Sequence, residues 1–390
     1  MIYLLYVASG YLIITSFILL RNRQNFTSLS PAERITFTAE SPKVSLCIPA
    51  RNEESNIRRC VETALDQRYP HLEVLVLDDQ STDKTGAILS SLKQNHPRSE
   101  NLVLLKGKPK PTDWLGKPWA CQQLAEATEG EILIFADADT WFEKQTVGRV
   151  VRTMGRDVVD MVTVWPRQVL GSFWEKMLIP LVYYALLSLL PVHYVFRAPR
   201  WMPPFLHSRV TPLFAAACGQ FMAFKANSYH KIGGHQSVKS QVVEDVALAK
   251  KIKSAGLSMR MYYGSRAVGC RMYRSEKEIR EGFRKNFLAG FGYSLPFFGL
   301  MGLLHLLVYV YPFVMLAWAI SAGSVAIFMW AGIPVLLILA HRFLLARWFG
   351  WNPLYGLLHP VSVLWFQLLA VISAKDYLGD SSVTWKGRSI

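Results

Sequence analysis

The sequence predicts an α/β domain built on a doubly wound, mixed sheet, preceded by one transmembrane helix and followed by an α-helical membrane region. Three observations predict it. Short continuous apolar runs alternate with helix-like stretches between residues 43 and 165, the pattern of βαβ units whose parallel strands are covered on both faces. Residues 2–20 form an uncharged apolar run of 19 residues, and three more long apolar runs follow residue 295. Across all 390 residues, 51% are hydrophobic and only 18% charged, against roughly 25% charged in soluble domains.

The opening run, IYLLYVASGYLIITSFILL, is long enough to cross ~30 Å of hydrocarbon. With no basic stretch before it, it reads as an uncleaved anchor. Arg21 and Arg23 follow at once and place residue 21 onward on the cytoplasmic side. The strand runs are Val44–Pro49, Glu73–Leu77 and Glu131–Ala136. The helices between them are Ser55–Gln67 and Thr82–Gln94, the second opening on a Ser81/Thr82 cap and an early Asp83.

Residues 177–196 are apolar enough to span, yet Pro180 and Pro191 interrupt them. A single crossing there would also separate acidic motifs that read as one site. The segment is therefore expected in the membrane interface, with Trp165, Trp174 and Trp201 at headgroup level. Residues 296–320, 323–340 and 353–374 are the further spans. Counting crossings puts the C-terminal tail outside, whereas Lys375, Lys386 and Arg388 favour the inside, so one run is expected to be re-entrant or a hairpin.

Lys and Arg exceed Asp and Glu by 15. Without a nucleic-acid module, that excess points to a bilayer partner and to no nucleic acid. The five cysteines are odd in number and lack Cys-Xaa-Xaa-Cys spacing, which argues for buried reduced thiols.

The chemistry sits at the strand ends. The three strands finish in Pro49-Ala50-Arg51-Asn52-Glu53-Glu54, in Asp78-Asp79-Gln80-Ser81-Thr82-Asp83 and in Asp137-Ala138-Asp139. Ligands of open parallel sheets bind beyond the carboxyl ends of the strands. The acids crowded there would repel one another, and a hard divalent cation, Mg²⁺ or Mn²⁺, resolves the conflict and brings a diphosphate with it. Asp83 and Glu54 also suit helix N-termini. A second pair, Glu244-Asp245, follows Gly233-Gly234-His235 and opens a helix over Val246–Ser254. It reads either as a dipole-stabilising cap, ionised by the helix, or as functional.

The succession PARNE, VLDDQSTD, FADAD and a downstream Glu-Asp resembles the family 2 glycosyltransferases of the GT-A fold over roughly residues 43–290. The stretch TDWLGKPWA and the tail Thr384-Trp385-Lys386-Gly387-Arg388 resemble the membrane-bound branch that glycosylates carotenoids, hopanoids or other lipids. The resemblance implies that Arg51, Glu53 and Asp79, with Asp78 beside them, hold the nucleotide. It implies that Asp137 and Asp139 form the Asp-Xaa-Asp metal motif, with Asp139 the main ligand, and that Asp245 is the catalytic base next to Glu244. The expected donor is a nucleotide-sugar, UDP-linked, and the expected acceptor a membrane lipid such as a carotenoid, hopanoid or sphingolipid-like molecule.

Lys117 reads as a phosphate ligand or a solvated surface lysine. Gly219 and Gln220 read as an acceptor-site lining or a strand bulge, and His235 as a satisfied loop histidine. Arg280 and Arg284 share a helix face, as a diphosphate clamp or a basic interfacial face. The processive members' Gln-Xaa-Xaa-Arg-Trp motif is missing here, since the stretch reads REGFRKN. A single inverting transfer is thus expected ahead of the alternatives, a processive polysaccharide synthase or a non-catalytic nucleotide-sugar-binding scaffold. The expected organisation is an anchor over 1–22, a catalytic domain over 43–290 with an interfacial segment at 172–215, transmembrane helices over 291–375 and a polar tail over 376–390. That makes a multi-pass protein of the cell membrane with a cytoplasmic catalytic domain.

Overall fold

The computed structural model describes residues 1–29, 37–379, 384–385 and 388–389. The chain divides into two compact units. Phe26–Val169 and Val192–Met272 form the first; Met1–Asn25, Leu170–Pro191 and Tyr273 onward form the second.

The first unit is an α/β domain. Its strands are β1 (Val44–Ala50), β2 (Leu72–Asp78), β3 (Leu102–Lys106), β4 (Ile132–Ala136), β5 (Thr140–Phe142), β6 (Met161–Gln168), β7 (Phe221–Lys225) and β8 (Met259–Cys270). They form one mixed sheet in the order β3-β2-β1-β4-β7-β6-β8-β5. β3, β2, β1 and β4 run parallel, and β7 lies antiparallel between β4 and β6. All five residues of β4 and six of seven in β1 are buried, which explains why these strands are continuous apolar runs. The intervening helices, α2 (Ile57–Leu65), α3 (Thr85–Asn95), α4 (Gly116–Glu126) and α5 (Thr146–Asp157), lay faces such as Ile57, Cys60, Val61 and Ala64 onto the sheet core. α3 starts later than the expected Ser81/Thr82 cap: its N-cap is Lys84, with no side-chain capping bond, and Asp83 just before it accepts the Thr85 N–H on Oδ1 at 2.9 Å.

Register sets the site. Ala50 pairs with Asp78, so β1 and β2 end level with each other. Ala136 pairs with Phe221, so the start of antiparallel β7 lies beside the carboxyl end of β4. Gly219 and Gln220 thereby reach the edge that carries the acidic loops.

The second unit is helical. It holds α1 (Ile2–Asn25) and α6 (Phe173–Leu189), whereas the short α7 (His193–Phe196), α8 (His207–Val210), α9 (Ala226–Lys231) and the longer α10 (Glu244–Ser254) belong to the α/β unit. It continues with α11 (Glu276–Phe287), α12 (Leu295–Tyr309), α13 (Tyr311–Ala322), α14 (Val325–Phe349) and α15 (His359–Leu378). Four helices among the described residues are long and apolar enough to cross a membrane: Ile2–Asn25, Leu295–Ala322, Val325–Phe349 and Pro353–Leu378. Leu295–Ala322 is broken at Val310, ahead of Pro312. At ~1.5 Å per residue neither half alone reaches ~30 Å, whereas the two together do.

The apolar run after residue 172 is a helix, α6. A capping box starts it, Ser172 Oγ accepting from Glu175 N–H while the Glu175 carboxylate accepts the Ser172 N–H. It ends just before Pro191. The Asn22 amide donates to the carbonyls of Leu187 and Leu190 at 2.8 and 2.7 Å, and Ser362 Oγ donates to Met177 O at 3.1 Å. α6 is thus bonded to α1 and α15. The sheet takes strands from both sides of this segment, so the chain leaves the α/β unit at Val169 and returns to it at Val192. In the tail, Thr384–Trp385 (β9) pairs antiparallel with Arg388–Ser389 (β10); Lys386 and Gly387 lie outside the described residues.

Candidate active site

The loops after β1 and β2 clasp each other. Arg51 Nη1 donates to the carbonyls of Asp79 and Gln80 at 2.6 and 3.1 Å. Asn52, at φ 52°, takes the Thr82 N–H on its Oδ1 at 2.8 Å. The Glu53 N–H donates to Thr85 Oγ1 at 2.8 Å, and Glu53 Oε2 accepts from Asn56 at 3.1 Å. Asp78 Oδ1 receives the Ser81 N–H at 3.0 Å. Asp79 is 4% exposed, and its N–H bonds to Ala50 O at 2.8 Å. Gly107 closes over it: a Cβ there would lie 3.0 Å from Asp79 Cα, so only glycine lets the β3 loop approach. Arg51 therefore shapes the loop that presents Asp79.

Beyond β4, Asp137 and Asp139 sit on a tight turn. Thr140 closes it, its N–H and hydroxyl both donating to Asp137 O at 3.1 and 2.7 Å. The Asp137 N–H donates to Gln220 O at 3.2 Å. Asp139 lies beside two buried thiols. Burial, and then the Asp139 charge, pushes Cys270 well up, and Cys60 is raised chiefly by burial. Both remain protonated thiols, which are poor metal ligands. The donors left are two hard carboxylates, a set that fits Mg²⁺ or Mn²⁺, ions that take their remaining ligands from water and diphosphate. Asp137 and Asp139 would hold the ion.

Lys117 joins this turn to the second acidic pair. Its Nζ lies 2.7 Å from Asp137 Oδ1 and 2.9 Å from Glu244 Oε1, and reaches Gly219 O at 3.4 Å. Burial by itself would lower its pKa, but Asp137 and Glu244 outweigh that and hold it well above the usual lysine value. Lys117 is a charged bridge between carboxylates, rather than a solvated surface lysine. Burial opposes ionisation of Glu244, yet Lys117 prevails and keeps its pKa below the usual carboxylate value.

Asp245 behaves in the opposite way. Burial first, then the Glu244 charge, raises it to about 6. The helix start was expected to favour its ionised form; desolvation and a like charge next door outweigh that dipole. Gly219 N–H donates to Asp245 Oδ2 and Val246 N–H to Oδ1, each at 2.8 Å, so the carboxylate is oriented from both sides. A Cβ on Gly219 would lie 3.0 Å from Lys117 Nζ and 3.3 Å from Asp245 Oδ2.

Gln220 is 4% exposed. Its Oε1 accepts from Gln168 at 2.9 Å, and its amide nitrogen contacts Cys270 Sγ at 2.9 Å, so its side chain ties β6 and β8 to the site edge. His235 is buried, and burial lowers it to about 3. Its backbone N–H donates to Tyr229 Oη at 3.0 Å, and the same hydroxyl meets its Nδ1 at 2.6 Å; it is a neutral, packed histidine. Arg280 and Arg284 lie on α11 in the helical unit. Arg280 pairs with Glu276 at 3.7 Å, and Arg284 forms a two-pronged ion pair with Asp376, one contact at 2.6 Å.

Sequence reasoning missed the close approach of Gly107 to Asp79, the left-handed turns at Asn52 and Gln80 (φ 57°), and the bridging place of Lys117. Asparagine favours that turn conformation and so carried a signal. Gln80 carried none.

Residues 45–233 match the family model described as Glycosyl transferase family 2. The chain is 24% identical over 307 residues to the 4,4'-diaponeurosporenoate glycosyltransferase of Staphylococcus haemolyticus, covering 75% of this chain and 72% of that protein. It is 23% identical over 348 residues to the protein of that name from Staphylococcus aureus, covering 88% and 87%. In fold it is similar to the mannosyltransferase PcManGT from Pyrobaculum calidifontis, solved in complex with GDP-Man and Mn²⁺. That likeness has a TM-score of 0.56 at 18% identity and covers 97% of this chain and 99% of that one. With its mixed GT-A sheet, its acidic loops at the strand ends and its Asp-Xaa-Asp turn, the stretch over residues 45–233 is a Glycosyl transferase family 2 domain, and the chain is a distant relative of carotenoid glycosyltransferases.

Proposed function

We propose that this protein transfers one sugar from a nucleotide-sugar, UDP-linked, to a lipid-borne acceptor of the carotenoid, hopanoid or sphingolipid-like class, with inversion at the anomeric carbon. The observation that carries the reading is the Lys117 bridge, which binds the Asp-Xaa-Asp turn and the Glu244-Asp245 pair into one constellation. The loops of Arg51, Glu53, Asp78 and Asp79 are suited to the base and ribose. A divalent ion held by Asp137 and Asp139, when bound, neutralises the diphosphate leaving group. Asp245, held by the Gly219 and Val246 N–H groups, takes the proton of the acceptor hydroxyl as it attacks. Attack from the face opposite the diphosphate inverts the centre. Lys117 keeps Glu244 charged, and burial together with that charge holds the Asp245 base at about 6.

The lipid class of the acceptor has its own support. Trp201, Phe205 and Leu213 are 71%, 77% and 73% exposed, interleaved with exposed Arg197, Arg200 and Arg209. Aromatic and basic side chains in one segment suit a headgroup surface. A multi-pass placement in the cell membrane, with the α/β unit cytoplasmic, is supported by the four apolar helices and by Arg21 and Arg23.

The test is to incubate membranes containing the protein with a panel of labelled nucleotide-sugars and extract the lipids. One labelled product from one donor is expected. A polymer would favour the processive reading, and label confined to water-soluble products would overturn the lipid acceptor.

A further inference from the structure

Arg342 lies on α14 within the helical unit and is 4% exposed. Among the described residues it has no hydrogen-bond or ion-pair partner, and its Nη1 is fully buried without one. Its stem is held by the chain that follows α14: a Cβ built on Gly356 would lie 3.1 Å from Arg342 Cβ. The residue lines an open cleft, whose enclosed part is no larger than a water molecule, together with Lys176 of α6 and with Trp351, Asn352, Tyr355 and Gly356. No acidic side chain lines it. Two cations, a side-chain amide and two aromatic rings thus face one small space in a unit built of membrane-length helices. An uncompensated guanidinium buried in such surroundings is costly and calls for an anion.

The surface around the pocket also indicates what delivers that anion. Phe343, Leu354 and Leu357, close in sequence to the lining residues, are 56%, 67% and 62% exposed. Apolar side chains beside a cationic pocket suit a molecule whose charged head carries hydrocarbon, whereas a free ion has no use for them.

We infer that this pocket binds the phosphodiester of an anionic phospholipid, with Arg342 and Lys176 as its ligands and Trp351 and Tyr355 at the headgroup level. The inference rests on the reading that these helices lie in a bilayer, and is separate from the acceptor proposed above. Phosphate oxygens accept charge-assisted hydrogen bonds from the guanidinium and the ammonium.

The test uses the full chain purified in mild detergent and stripped of lipid. Phosphatidylglycerol, phosphatidylcholine or glycerol 3-phosphate is added, and bound lipid is read by native mass spectrometry and Tm by thermal unfolding. Phosphatidylglycerol is expected to stay bound and raise Tm, and phosphatidylcholine to do neither. Arg342→Gln and Lys176→Gln should each weaken phosphatidylglycerol retention by roughly tenfold or more. Lys176 is only partly buried, so Lys176→Gln carries the test if Arg342→Gln does not fold. Equal retention of the two lipids, or unchanged retention in Lys176→Gln, overturns the site. Glycerol 3-phosphate protecting as well as the lipid overturns the lipid assignment in favour of a soluble phosphate. Protein that stays in solution without detergent overturns the bilayer reading and this site with it.

Discussion

Asp245 is bonded to Gly219: the glycine N–H donates to Asp245 Oδ2 at 2.8 Å. Gly219 stands just before β7, the antiparallel strand beside β4, and Asp245 is on the first turn of α10. The carboxylate is thereby fixed at the edge that carries Asp137 and Asp139, although it comes from a distant part of the chain. Its orientation depends on backbone donors, which a conservative side-chain substitution leaves in place.

Asp245→Asn should therefore lower turnover by about a hundredfold or more on a hydroxyl acceptor, since general-base assistance is typically worth ~10²–10⁴. Nucleotide-sugar affinity should change little. With the Asp245 pKa at about 6, the rate of the native enzyme should fall as pH drops below about 6. That acidic limb should vanish in the variant. Rates measured against pH for both proteins check this, and near-native turnover of the variant would sink the base assignment.

The same carboxylate costs stability. Its folded pKa is raised above the ordinary value of 3.8 to about 6, so the folded state holds its proton more tightly than the unfolded chain does. Stability from this group is full below pH 3.8 and is lost as pH rises through about 6. Asp245→Asn should raise the Tm at pH 7–8 and leave it nearly unchanged at pH 4. A lower Tm at pH 8 would contradict the buried, crowded carboxylate.

Removing Lys117 should do the reverse. Lys117→Met strips Glu244, only 7% exposed, of its cation, and leaves Asp137 without one partner. Leaving a buried charge unpaired costs about 1–3 kcal/mol or more, at the lower end here because the Lys117 side chain is 35% exposed. The folded Glu244 pKa, which Lys117 holds below the ordinary 4.5, should rise, so the loss should be larger at pH 8 than at pH 4 and vanish only as pH falls through the native protein's lowered value. Denaturant unfolding at the two pH values reads this directly.

Metal dependence should follow from the two hard carboxylates of the Asp137-Ala138-Asp139 turn. A chelator should abolish transfer, and Mn²⁺ or Mg²⁺ should restore it. Asp139→Ala should be inactive and folded, and Mn²⁺ titration followed by electron paramagnetic resonance should show its binding lost. Full activity under excess chelator would remove the metal from the mechanism.

Topology can be read with cysteine reporters. Gln94 and Ser240 are exposed and belong to the same unit, while four of the five native thiols are buried. Gln94→Cys and Ser240→Cys should both be labelled from the cytoplasmic side only. Labelling from opposite sides would mean that Phe173–Leu189 crosses the membrane, which one shared sheet does not allow.

The sequence by itself determined the local features. Apolar runs named β1, β2 and β4 within two residues at either end, because strands buried on both faces leave few polar positions to blur the pattern. The acids after those strands named the loops of the candidate site, and length with apolarity named the helices long enough to cross a membrane. Tertiary structure alone decided what depends on residues far apart in the chain. Only the placement of β7 against β4 sets Gly219 against Asp245 and threads Lys117 between Asp137 and Glu244. Only packing turns Asp245 from an ionised helix cap into a group near pH 6, since burial and a neighbouring charge are not written in any local spacing. The α6 segment shows the same division. Its capping box, Ser172 with Glu175, lies within one short stretch of sequence, but its bonding to Asn22 and Ser362 arises where three distant helices meet, and no window of sequence contains all three.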